Sequence, residues 1–185
     1  ELSDGSKIKQ FGCWELWVAY RDFMSVTHYA IESLLMSLEK YLLDTAKLKT
    51  DLSKSNLQVM FDFILRKSNN VGTTSVLLSV GMAYPEEIEE LLIPLISVRE
   101  FYSWDLSRAT NERLCNPMND DKISFALDER LESKKLSHRT KYFRGLADFI
   151  VDYQFNNRVL NTEIHKLFDR LQTEKNEDDI FWKKT

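Results

Sequence analysis

Arg158 and His165 are separated by six residues, a spacing that places both on one helical face because positions i and i+7 nearly eclipse. They are the only residues that suggest a catalytic pair, and a solvated helix face explains the same spacing. Lys134, Lys135, Arg139, Lys141 and Arg144 form a second constellation, a basic cluster around His138. Several of these cations fall in the first turns of an expected helix, where positive charge is disfavoured by ~0.3–1 kcal/mol each. Cations placed against the helix dipole point to an anionic partner, either nucleic acid or an acidic domain. The competing account is a solvated run neutralised by Asp128, Glu129 and Glu132.

Other chemistry lacks its residues. Gly5, Gly12, Gly72, Gly81 and Gly145 stand in neither G-x-x-x-x-G-K-[ST] nor G-x-G-x-x-G, so no backbone loop is shaped to cradle phosphates. ATP is therefore not expected to bind this segment. His28, His138 and His165 lie far apart, and Cys13 and Cys115 have no partner at ligand spacing, so no metal is expected and each histidine reads as surface or half-buried. Trp14, Trp17, Trp104 and Trp182 could stack on bases, but each sits in an apolar periodic pattern that favours packing.

The elements that must position these residues read as helices. The chain has 185 residues, 43% of them hydrophobic, enough for one good-sized core. Five glycines and three prolines suit helices better than a β-sandwich. A net charge of −4 argues against wholesale nucleic-acid binding. Two cysteines make no disulfide framework and fit a cytoplasmic setting. No membrane partner is expected: Ser68–Pro85 carries no charge in a chain that is 29% charged, yet its Asn, Thr and Ser residues leave it short of a bilayer span. It reads instead as a central helix ended by Pro85, with Gly72, Ser75, Ser79 and Ala83 forming a small face for a close neighbour.

Around it the spacing predicts an aromatic helix over Phe11–Arg21. A helix after Ser25 or Thr27 follows, with Ala30/Ile31, Leu34/Leu35, Leu38 and Leu42 inward and Glu32, Glu39, Lys40 and Asp44 outward. Further helices are expected over Lys54–Leu65, Glu86–Val98, Arg139–Phe155 and Val159–Gln172, with a last one from about Asn176. Residues 111–137 read as an exposed charged insertion or linker, docked through Ile123–Leu127. The expected fold is all-α, a stack or bundle of short antiparallel helices in the manner of a HEAT-like α-solenoid. The chain starts at Glu1 and stops at Thr185 inside an amphipathic pattern, so residues 1–185 read as one helical segment of a longer polypeptide, a trimmed small protein being the alternative.

Two resemblances bear on function. Arg158–His165 resembles the R-x4–6-H signature of HEPN ribonucleases, which implies metal-free RNA cleavage by that pair, although Val159 stands where the family carries a polar residue. Ser33–Leu43, Ser68–Val71 with Ala83–Pro85, and Glu177–Lys183 together resemble a helical region of very large bacterial proteins, similar to the STAND-type P-loop NTPases of antiviral defence. The resemblance spans about residues 14–185. It implies a non-enzymatic helical-repeat scaffold or sensor whose partners are other domains of the parent protein or a protein ligand. ATP and Mg would then bind only in the rest of that parent chain. A HEPN-like ribonuclease and a helical nucleic-acid-binding module are the alternatives.

Overall fold

In a computed structural model, residues 5–21, 29–114, 132, 134–142, 144–156 and 160–182 are described. The architecture is an all-α bundle arranged around the uncharged segment, and no strand occurs among the described residues. Helix α4, Val71–Ala83, occupies the centre, and all its residues from Thr74 to Met82 are buried. It is packed against α1 (Trp14–Val18), α2 (Tyr29–Lys47), α3 (Asp51–Lys67), α5 (Pro85–Ile88) and α6 (Leu92–Ile96). Its start is fixed locally: the Asn70 side chain accepts from the Gly72 N–H at 3.0 Å, as an N-cap does. The extended residues before α1 add a second tie, with the Val71 N–H donating to the Phe11 carbonyl at 3.0 Å. The helix ends at Ala83, with Tyr84 as its C-cap one residue before Pro85, which closes it where the sequence predicts.

Small residues let neighbours close on this helix. A Cβ at Gly81 would lie 2.8 Å from Ile88 Cδ1, so alanine there would require the Ile88 side chain to shift. Ser75 and Ser79 are 1% and 2% exposed, which puts the expected small face in contact with protein.

Several boundaries and faces differ from expectation, each for a physical reason. Helix α3 starts at Asp51 rather than the expected Lys54 because Thr50 and Ser53 form a reciprocal capping box. The single helix expected over Glu86–Val98 is broken into α5, a 3-10 turn at Glu89–Leu91 and α6. Pro94 accounts for the break, since its ring excludes a helical carbonyl four residues earlier, at Glu90. Helix α7, Arg99–Leu114, includes residues 111–114, which are therefore helical. Residues 115–131, which include Ile123–Leu127 and Cys115, lie outside the described ones.

The helix expected over Arg139–Phe155 is two, α8 (Ser137–Lys141) and α9 (Leu146–Asn156), parted by Gly145 at φ +61°. The last two expected helices are one, α10, Asn161–Trp182. On α2 the outward and inward assignments partly exchange. Glu32 and Glu39 are buried, while Ile31 and Leu34 are 52% and 71% exposed. For Glu39 the cause is a pair of arginines, Arg21 and Arg139, that meet it from neighbouring elements.

Candidate functional site

On α7, Asp105, Arg108 and Glu112 follow one another at i, i+3 and i+7, which aligns them on a single face. Arg108 sits between the two acids. Its Nε donates to Asp105 Oδ1 at 2.7 Å and its Nη1 to Glu112 Oε2 at 2.7 Å. Asp105 Oδ2 also accepts the Leu146 N–H at 2.8 Å, so the same carboxylate holds the start of α9 against α7. Gly145 makes that approach possible, because a Cβ there would collide with Asp105 Oδ2 and its positive φ suits glycine.

Two further arginines complete the array. Arg21, in the turn after α1, donates Nη2 to Glu39 Oε2 at 2.8 Å. Arg139, on α8, donates Nη1 to Glu112 Oε1 at 2.8 Å and Nη2 to Glu39 Oε1. Ser79, from the middle of α4, gives its hydroxyl proton to Glu39 Oε1 at 2.5 Å and faces His138 Nε2 at 3.1 Å. Because the serine proton goes to Glu39, His138 must donate through Nε2–H, leaving Nδ1 the acceptor. The Tyr20 ring lies under both Arg21 and Arg139, with guanidinium carbons 5.8 and 5.7 Å from its centroid.

Three arginines thus face three carboxylates, and none of these side chains is more than 8% exposed. Burial alone would raise the Glu39 carboxyl, but Arg139 and Arg21, helped by the Ser79 hydroxyl, hold it down at about 2. Glu112 is likewise at about 2, with Arg139, Arg108 and Arg21 outweighing burial. His138 is pushed down to about 3, first by burial and then by Arg139, so it is neutral at ordinary pH. Burying ions costs several kcal/mol each, roughly offset by pairing, whereas stripping one partner costs ~3–5 kcal/mol. Such an array therefore adds little net stability but admits one arrangement of α2, α4, α7 and α8.

The basic cluster is divided by this arrangement. Arg139 is inside, at 5% side-chain exposure, and Lys134 shares a cavity wall with it. Lys135 pairs with Glu132 at 2.6 Å, Lys141 with Asp152 at 2.6 Å and Arg144 with Asp148 at 2.8 Å, all toward solvent. The five do not make one exposed patch. Nor do Arg139 and Lys141 oppose a helix dipole, since they lie in the last turn of the five-residue α8. His138 is buried rather than at the surface, because Ser79 and the arginines enclose it.

His165 is exposed on α10, and Arg158 and His28 lie outside the described residues. Trp17 is fully buried against Phe101, with ring centroids 4.2 Å apart, and Trp104 stacks beside both, which is core packing. Among the described residues no group of three or more His, Cys, Asp or Glu could hold a metal ion, and no helix is long and apolar enough to cross a membrane. Sequence reading missed Arg21, Asp105, Arg108 and Glu112 altogether. Their one signal is the D-x-x-R-x-x-x-E spacing on α7, which an exposed helix laced with salt bridges shares. No protein-family model, no curated protein and no solved structure matches the chain.

Proposed function

We propose that this chain is a non-enzymatic α-helical scaffold or sensor segment of a large, defence-type bacterial NTPase of the cytoplasm. In this role it couples recognition by other domains, or by a protein partner, to a nucleotide-driven element elsewhere in the parent protein. The resemblance of Ser33–Leu43, Ser68–Pro85 and Glu177–Lys183 supplies the family. One observation about the body carries the role: the polar groups best placed for chemistry are engaged with one another. Glu39, Glu112, Arg139 and Arg108 are locked in a charge-balanced array that joins three helices, α2, α7 and α8. An acid or base must exchange protons near neutral pH to serve a reaction, and Glu39, Glu112 and His138 are all held far below it. A rigid body of this kind suits transmission of a displacement from one side to another.

Calorimetric titration with Mg-ATP, together with incubation on single-stranded RNA, tests the reading. The chain is expected to give no saturable ATP isotherm and no cleavage that an Arg158→Ala/His165→Ala variant lacks. Saturable ATP binding, or RNA cleavage lost in that variant, would overturn it.

A further inference from the structure

Helix α2 carries two apolar stripes. Leu42 and Ala46 lie in the buried one, beside Glu39. The other runs through Ile31, Leu34, Leu38, Tyr41 and Thr45 to Leu48 in the turn that follows, at alternating steps of three and four. That spacing is a heptad seam, in which each side chain fills a hole on a facing helix. Among the described residues nothing covers it: Ile31, Leu34, Tyr41 and Leu48 are exposed, and Leu38 and Thr45 are half-buried.

Helix α3, which packs on α2 across a short turn, repeats the pattern with Leu52, Asn56, Val59 and Phe63, all exposed. Both helices are occupied on another side. Glu39 is met by Arg21 and Arg139, and Lys54 and Gln58 bond Glu89 and the Glu87 carbonyl. The seven large apolar residues of the two seams are 52–73% exposed, which at ~150–250 Å² per large side chain leaves ~600–900 Å² open. A stable complex takes about 800 Å² from each partner, whereas the largest apolar patch on a monomer is ordinarily ~300–600 Å².

The seams are also self-complementary. The α2 seam is centred between Leu38 and Tyr41 and the α3 seam between Asn56 and Val59, each about nine residues from the turn. One two-fold axis crossing the hairpin at that level therefore serves both helices. It sets α2 against α2 and α3 against α3 in antiparallel order, so Asp51 at the start of α3 faces Lys67 at the end of the other α3. Neither residue makes an ion pair among the described residues. An axis along the hairpin would instead crowd Lys47 and Lys49 of both copies at the turn. We propose that the α2–α3 hairpin docks on the same hairpin of a second copy of this chain, forming an antiparallel four-helix interface. The interface stands independently of the scaffold role.

Sedimentation equilibrium and thermal unfolding of the intact chain, each over a range of concentrations, test this. The mass should rise with concentration from 21.8 kDa towards twice that value, and Tm should rise with it. Leu34→Glu/Tyr41→Glu alters only exposed side chains and should remain at 21.8 kDa with an unchanged far-UV CD spectrum. Val151→Glu/Phe155→Glu, at exposed apolar positions of α9 outside both seams, should dimerise as the wild type does. Lys67→Glu sets like charges opposite each other and should weaken the dimer about three- to tenfold, because the two-fold repeats the exposed pair. A chain of 21.8 kDa at every concentration, a dimer that survives Leu34→Glu/Tyr41→Glu, equal loss in the α9 variant, or unchanged affinity with Lys67→Glu would overturn the proposal.

Discussion

Between Val71 and Met82 the bundle excludes water with side chains that carry no charge, while where α2, α7 and α8 meet it does so with three arginines and three carboxylates. The two regions touch at Ser79, whose hydroxyl leaves α4 to bond Glu39. Apolar burial is non-directional and tolerates any partner of suitable shape. An ion array tolerates only one register, because each displaced group becomes an unpaired buried charge. The contrast assigns the two regions different tasks: α4 supplies adhesion, and the array decides how α8 and the start of α9 sit on α7.

Breaking each region in turn should separate those tasks. Arg139→Ala leaves Glu39 and Glu112 short of a counter-charge and should cost ~3–5 kcal/mol in urea unfolding. Leu77→Ala, at a fully buried site on α4, should cost a comparable ~2–5 kcal/mol through lost contact and a residual cavity. The two are told apart by acid.

His138 has its folded pKa lowered from 6.5 to about 3, so the unfolded chain binds a proton there that the fold refuses. Its contribution is whole above pH 6.5 and declines as pH falls below it. Glu39 and Glu112, lowered from 4.5 to about 2, add to the decline below pH 4.5. The slope should approach ~1.4 kcal/mol per pH unit for each group involved. Leu77→Ala should keep the wild-type pH profile at a lower level. His138→Gln keeps a donor for Ser79 and should flatten the profile between pH 6.5 and 4.5. An unchanged profile in that variant would show that His138 is not the group titrating. The smallest effect is expected outside both regions. Arg144→Ala removes an exposed pair with Asp148 and should shift stability by no more than about 0.5 kcal/mol.

The apolar region was legible because its signal is local. Eighteen residues without charge, from Ser68 to Pro85, already state burial and a stop. The ionic region was not, because its members come from positions 21, 39, 79, 105, 108, 112 and 139, and only their meeting makes them inward-facing. Glu39 is the plainest case: on α2 alone it belongs with Lys40 and Asp44 on the wet face, and those two do pair outside at 2.8 Å. Arg139 is the mirror of it. In the sequence it is one cation among five, and the structure removes it from them by supplying two carboxylates from helices 27 and 100 residues away.

The same limit explains the helix breaks. Pro94 carried a local signal in the sequence, whereas the division at Gly145 follows from Asp105, forty residues earlier, claiming the Leu146 N–H.

The claim that the buried array acts as one unit is tested most directly by a double-mutant cycle on Glu39 and Arg139. Glu39→Ala, Arg139→Ala and the double variant are compared by urea unfolding at pH 7. If the array couples α8 to α2, the double variant should lose far less than the sum of the singles, with an interaction energy of ~1–3 kcal/mol. Additivity within about 0.5 kcal/mol would mean the two side chains act independently and would contradict the account.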